Sequence, residues 1–247
     1  MFAFSDDRGP VSVAFTDRWG GVSGAPYSSL NLAAVGDDDR SAVRENLGRV
    51  MEAFAGAADA SAASMHQVHG AEVAVVEVDP GAAVAGADGL PRVDGLVTAL
   101  SEVTLVVRVA DCVPVLVADP ARGVVAGLHA GRPGLVAGVV PAGVAAMRAL
   151  GADDLVAWVG PHVCGRCYEV PEAMRAEVVA AVPEAWAETS WGTPAVDVGA
   201  GVVAQLRAAG AEVVDASRCT RESADLYSYR RDGAAAGRMA GLVRVRR

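Results

Sequence analysis

The sequence predicts an α/β fold, and three observations carry that reading. Short apolar runs rich in β-branched residues recur at Val11–Thr16, Val113–Ala118, Val124–Leu128, Leu155–Gly160, Glu212–Ala216 and Ala240–Val245. Helical patterns stand between them, at 37–58, from the Gly131-Arg132-Pro133-Gly134 opening through Leu150, at 171–182 and at 197–209. The chain is 247 residues long, with 52% hydrophobic residues and no internal repeat or linker, which suits one large domain, 1–247, with a substantial core.

Taken in order, residues 1–12 (MFAFSDDRGPVS) are acidic where a signal peptide would be basic and apolar. No export signal is read there, and a cytoplasmic protein is expected. Val11–Thr16 follows as a strand, and Gly20, Gly21, Gly24 and Pro26 make a long loop. Ser23 lacks the G-x-S-x-G spacing of a nucleophile elbow. Asn31, in SLNLA, has the pattern of a turn or cap residue. Residues 37–58 are helical: Ser41 or a preceding Asp caps them, and Val43, Leu47, Val50 and Phe54 form an apolar stripe.

Residues 65–79 (MHQVHGAEVAVVEVD) carry an H-x-x-H segment running into a strand. On an extended backbone, positions three apart point to opposite sides, so only one of His66 and His69 is expected to be a ligand. Residues 80–92 read as a mobile Gly/Ala/Pro-rich loop, and 94–100 (DGLVTAL) as a short helix or turn.

Val113–Ala118 and Val124–Leu128 then form a hairpin around Asp119-Pro120-Ala121-Arg122-Gly123. With the turn centred between Pro120 and Ala121, Cys112 falls directly across from His129. Opposed Cβ atoms lie about 4.5–5.5 Å apart, close enough for one sulfur and one imidazole nitrogen to share a metal at roughly 2.3 Å and 2.0–2.1 Å. After His129, the run Gly131-Arg132-Pro133-Gly134 opens a helix with Pro at its start, a potential anion cradle.

Leu155–Gly160 is a buried strand. The C-x-x-C of Cys164 and Cys167 follows it, either a redox pair or half a zinc site; a four-cysteine site would need both Cys112 and Cys219 to converge on it, which is not expected. The chain ends in a Tyr/Ser/Arg cluster and a closing strand.

Net charge is −9, which disfavours a general nucleic-acid binder. All 21 basic residues are arginine, so Schiff-base, P-loop and Ser-Lys chemistry are excluded and any anion site must use Arg, backbone N–H groups or a metal. The longest apolar stretch, near 135–147, is too short to span a bilayer. Four cysteines are too few for a disulfide scaffold.

His69, Cys112 and His129 are the groups that look convergent, His69 because it ends a glycine turn beside a strand. Two His and one Cys make the three protein ligands of a catalytic zinc site with one open position, and Asp111 beside Cys112 could orient a ligand or move a proton. The same set fits a blue-copper centre with Met65 as axial ligand, or a metal-free thiolate nucleophile with its base. A blue centre plus a three-copper cluster needs more imidazoles than the chain's four histidines supply.

FTDRWGGVSGAPYSSLNLA, VGDDDRSAVRENL, HQVHG, DGLVTA, ADCVPVLVADP, GLHAG, VGPHVCGRCYEV and SYRRDGAAAGRMA occur in that order and cover nearly the whole chain. In them the sequence resembles the YfiH-type family, long labelled multicopper polyphenol oxidoreductase (laccase) and more recently understood as purine nucleoside phosphorylases. The resemblance implies a layered α/β (α+β) sandwich of mixed β-sheets flanked by helices, usually a monomer. It also implies a zinc ion, or alternatively copper, on His69, Cys112 and His129. Its implied activity is phosphorolysis of adenosine, inosine and methylthioadenosine with adenosine deamination; a laccase-like polyphenol oxidase with copper at the same site and a Cys-His hydrolase editing cell-wall precursors are the alternatives. Candidate catalytic residues are Cys112, Asp111 and His129; candidate substrate and phosphate residues are Asn31, Arg132, Arg230 and Arg231. Expected partners are purine nucleosides and phosphate, with no nucleic acid and no membrane. The chain departs from the family pattern after HAG, where Arg132-Pro133-Gly134 replaces Trp-Arg-Gly, and at His162, where Cys is common.

Overall fold

Residues 1–82 and 86–247 are described by a computed structural model, so Ala83–Ala85 of the expected 80–92 loop lie outside the described residues. In chain order the strands are β1 (Phe2–Arg8), β2 (Val11–Thr16), β3 (Ala62–Ala63), β4 (Val73–Val75), β5 (Gly95–Thr98), β6 (Thr104–Val109), β7 (Val113–Asp119), β8 (Val124–Ala130), β9 (Val156–Val159), β10 (Trp186–Glu188), β11 (Pro194–Val196), β12 (Glu212–Asp215) and β13 (Met239–Val245). The helices are α1 (Arg40–Ala55), α2 (Arg132–Ala137), α3 (Val139–Ala149), α4 (Glu172–Ala181), α5 (Val198–Ala208) and α6 (Tyr229–Asp232).

Two mixed sheets form the centre, one ordered β1-β2-β13-β6-β3 and the other β12-β9-β7-β8-β5-β4. They pack face to face: Val13, Phe15, Leu105, Val107 and Val243 of the first meet Leu116, Val125 and Trp158 of the second. The alternate residues of the same strands point outward. Ala14, Val106 and Leu242 pack under Leu47, Val50 and Met51 of α1, while Val115, Val117, Ala157 and Val159 pack under Leu135, Val140, Met147 and Val202 of the helices on the other side. Both faces of both sheets are therefore covered. This is why the central strands read as continuous apolar runs rather than alternating ones, and each fully buried Val or Leu contributes about 1.5–3 kcal/mol. The layered mixed-sheet architecture agrees with the expected fold.

Four local expectations change. DGLVTAL contains a strand, β5, because it is inserted between β4 and β8 and pairs with both. The helix expected through Leu150 breaks at Gly138, whose φ of 85° no regular helix holds, giving α2 and α3. α2 spans only six residues, so it offers a short dipole to any anion. Finally, β1 and β6 complete the first sheet, although neither is among the expected strands.

The hairpin is also longer at its turn than expected. Asp119 pairs with Val124, Oδ1 of Asp119 accepts from the Ala121 and Arg122 amides, and Gly123 takes φ 64°. The turn centre lies one residue later, and His129 faces Pro114. A shift of two in the pairing count leaves every side chain on its original face, so Cys112 and His129 still point to the same side, as diagonal rather than direct neighbours.

Candidate metal centre and cavity

Three loops and strand ends deliver the expected trio to one place. His69 stands in the turn between β3 and β4, Cys112 at the entry to β7, and His129 near the end of β8. One ligand atom from each lies within 4.8 Å of the others. Cys112 Sγ is 3.7 Å from His69 Nε2, and the two imidazoles meet edge to face with centroids 4.8 Å apart. His66 does not join the cluster, although it lines the same cavity.

Asp94 is the residue that organises the trio, and the sequence reading did not single it out. It is fully buried. Its carboxylate accepts from the backbone amides of Val68 (3.2 Å), His69 (2.9 Å) and Gly70 (2.6 Å), and its Oδ1 lies 2.8 Å from His129 Nδ1. A carboxylate accepts only from a donor, so Nδ1 carries the hydrogen and Nε2 is left facing Cys112 and His69. The same carboxylate holds His69 at φ 62°, a left-handed conformation that costs of order 1–3 kcal/mol for a non-glycine residue. The Asp of DGLVTA, just ahead of a short apolar run, was the only sequence signal for it.

Electrostatics follow from this packing. Burial pushes the Cys112 thiol up, but the His129 imidazolium and hydrogen bonds from both histidines outweigh it and bring it down to about 6. Burial pushes His129 down, yet the Cys112 thiolate and the Asp94 carboxylate raise it to about 9. The trio thus favours a thiolate at neutral pH, the form in which sulfur binds a metal. Two imidazole nitrogens and one thiolate are borderline-soft donors of the kind that hold a divalent transition metal.

Gly131 supplies the space. It has φ −81°, which any residue can adopt, but a Cβ there would stand 2.6 Å from His69 Cδ2 and 3.3 Å from Cys112 Sγ. We expect Gly131→Ala to leave the fold intact and displace His69. Metal analysis of the purified variant should show the ion lost or weakly held, with circular dichroism unchanged.

The trio opens onto a cavity of ≈ 640 Å³. Its other walls include Met65, Val109, Val163, Tyr168 and Tyr229, with Arg132, Arg230 and Arg238 as its cationic side chains beside Arg108. Arg230 stacks over Tyr168 with its guanidinium carbon 4.9 Å from the ring centroid, and Arg238 over Tyr229 at 6.0 Å. Arg238 also donates to the Ala236 and Gly237 carbonyls. The sequence reading missed Arg238, Tyr168 and Tyr229; their signal was only membership of the Tyr/Ser/Arg cluster and of CYEV.

Asp111 lines the cavity at φ 83°, but its carboxylate accepts from Thr220 Oγ1 (2.6 Å) and the Arg230 amide (2.5 Å), so it fastens the C-terminal segment to the site. Arg132 and Arg230 reach the cavity; Arg231 and Asn31 do not. The Arg231 guanidinium is spent on the carbonyls of Thr220, Ser223 and Leu226 and on Asp232. Asn31 is fully buried, donating to Asp38 and accepting from the Ala33 and Arg238 amides, so it positions Arg238 from behind. His162 packs against α5, where a Cβ on Gly199 would meet its ring. Among the described residues, no helix is long and apolar enough to cross a membrane.

The sequence model of the family described as multi-copper polyphenol oxidoreductase laccase matches residues 12–246. A Streptomyces coelicolor protein named purine nucleoside phosphorylase is 57% identical over 246 residues, covering 98% of this chain and 99% of its own. A Mycobacterium tuberculosis protein of the same name is 44% identical over 244 residues, covering 96% and 94%. The crystal structure of YlmD from Geobacillus stearothermophilus superposes with a TM-score of 0.88 at 30% identity, covering 100% of both chains.

Proposed function

The chain belongs to the multi-copper polyphenol oxidoreductase laccase family, and within it we infer that this protein is a zinc-dependent purine nucleoside phosphorylase acting on adenosine, inosine and methylthioadenosine. One observation carries the reading: a thiolate–imidazole trio, three arginines and two tyrosines share a single cavity of nucleoside size. Relatives across the full length carry the same activity in their names.

Phosphorolysis joins a phosphate oxygen to C1′ of the pentose as the C1′–N9 bond breaks; the electron pair leaves with the purine, which takes up the proton that the hydrogen phosphate gives up. Zinc held by His69, Cys112 and His129 would supply a Lewis acid with one open coordination position. The protein's own side chains do the rest. Arg132 and Arg230 bind the phosphate, Arg230 as a planar fork pre-oriented by its stack on Tyr168. Arg238, partly desolvated and therefore lowered from the ordinary guanidinium range, adds positive charge from the floor held by Asn31. Tyr168 and Tyr229 offer π faces to the purine, and Met65, Val109 and Val163 exclude water and tolerate a 5′-methylthio group. Asp111 acts through Arg230 by fixing its backbone. Hydrolytic deamination of adenosine to inosine and ammonia is the side activity of the same cavity.

Initial rates with adenosine at varied phosphate test this. Arg230→Ala should raise the KM for phosphate roughly 10–100-fold, as expected for losing a charge-assisted hydrogen bond of about 1.5–3 kcal/mol, with metal content unchanged. Adenosine consumption that does not depend on phosphate would overturn the phosphorylase reading. Copper in place of zinc in the purified protein would favour the oxidase.

A further inference from the structure

The cavity wall that carries Tyr168 and Arg230 comes from two segments, an irregular one between β9 and α4 that holds Tyr168 and one that runs from β12 into α6, which holds Arg230. Little regular structure joins them. The backbone contact is one isolated parallel bridge between His162 and Cys219, with the His162 amide donating to Arg218 O (3.1 Å) and the Thr220 amide to His162 O (3.0 Å). Beside that bridge the C-x-x-C segment folds back on itself, the Cys167 and Tyr168 amides both donating to Cys164 O. The turn puts both thiols on one side, and Cys219 arrives from the second segment. Cys112 belongs to the other cluster, so no four-cysteine site forms, as expected; Cys219 alone joins the C-x-x-C.

Sulfur atoms of Cys164, Cys167 and Cys219 and a carboxylate oxygen of Glu222 all lie within 4.8 Å of one another. Cys167 Sγ is 3.5 Å from Glu222 Oε1. The geometry points to a second metal site: a structural zinc held by Cys164, Cys167, Cys219 and Glu222. Three thiolates and one carboxylate make a complete tetrahedral set with no open position, and two ligands come from the C-x₂-C spacing that zinc sites use. Tetrahedral ligands on bonds of about 2.3 Å stand about 3.8 Å apart, so the four atoms need to close by no more than about 1 Å.

Two alternatives fit worse. A thioredoxin-like pair needs the motif at a helix start, but residues 165–167 form a turn and α4 begins only at Glu172. A disulfide would engage two of the three sulfurs and leave the third, with Glu222, unexplained. The site shares no residue with His69, Cys112 and His129. Its consequence for them is mechanical: Tyr168 follows one ligand and Thr220, which holds Asp111, follows another.

The test is metal content and cobalt spectroscopy on the full chain. The wild type should hold two zinc ions per chain. A Cys167→Ser/Cys219→Ser variant should hold one, and Cys112→Ser should retain the other. With cobalt in place of zinc, Cys112→Ser should keep the intense ultraviolet charge-transfer band of a multi-thiolate site, and the double variant should lose most of it. Should the double variant fail to fold, the cobalt spectrum of Cys112→Ser alone decides. Chelation of that variant's remaining ion should lower its melting temperature. No zinc retained by Cys112→Ser, no thiolate-to-cobalt band in that variant, or a disulfide found between any two of the three cysteines would overturn the site.

Discussion

Cys112→Ser should lower kcat/KM for adenosine phosphorolysis by roughly 10³-fold or more, because a metal's electrostatic contribution to a transition state is several kcal/mol and each 1.36 kcal/mol is tenfold in rate. Serine keeps the size of the side chain but not its thiolate, so the fold should survive; an unchanged melting temperature in metal-free samples checks that. The His129→Ala variant should behave alike in rate. An accompanying readout tests the electrostatics without activity. In metal-free wild type the Cys112 thiolate should gain reactivity toward iodoacetamide as the pH rises through about 6. Below that value the sulfur is protonated and inert, and above it the thiolate persists. Cys167, which burial and the neighbouring thiolates push up to about 12, should stay unmodified over the same range. Equal labelling of both cysteines at neutral pH would contradict the assignment of the low value to Cys112.

Asp94→Asn should have the next largest effect, on two quantities at once. The carboxylate accepts four N–H groups and is fully buried. An asparagine offers one oxygen and turns an NH₂ toward donors. Zinc affinity should fall roughly 10–100-fold, the usual cost of losing the partner that orients a ligand histidine. Stability should fall by roughly 3–5 kcal/mol, the cost of breaking a buried pair from one side, which for a chain of this size is on the order of 10 °C in melting temperature. The pH dependence has a definite sign. Burial raises the Asp94 pKa, but His129 and the Gly70 and His69 amides together hold it below 3.8. A depressed folded-state value stabilises the protein above the unfolded value and loses that contribution as the pH falls through the folded one. The wild type should therefore lose stability below about 3.8, and the variant's acid limb should be flatter there. An Asp94→Asn protein with wild-type metal affinity and melting temperature would remove Asp94 from its organising position.

Much of this was legible in the chain because it is local. β7, β8 and β9 announce themselves as apolar runs since both faces of their sheet are covered. Asp39 caps α1 as its pattern implies. Cys112 and His129 could be brought together by counting along one hairpin, and a count wrong by two still placed them on one face. What failed is non-local. β5 is four residues without periodicity, and only its insertion between β4 and β8 makes it a strand. Asp94 and Cys219 meet their partners across sequence separations that no spacing rule spans. Arg230, Arg231 and Arg238 are alike in sequence; which of them faces the cavity is decided by where the carbonyls of Thr220, Ser223 and Leu226 lie, and they claim Arg231.

Phosphorolysis at the trio beside the arginine-lined cavity leaves a phosphate ester that can be read directly. The most direct measurement is phosphorus NMR of adenosine and phosphate incubated with zinc-loaded protein, alongside the His129→Ala variant. A pentose 1-phosphate signal should grow in step with free adenine for the parent and not at all for the variant. Release of free ribose without the phosphate ester, no turnover by the zinc-loaded parent, or equal ester formation by the variant would contradict it.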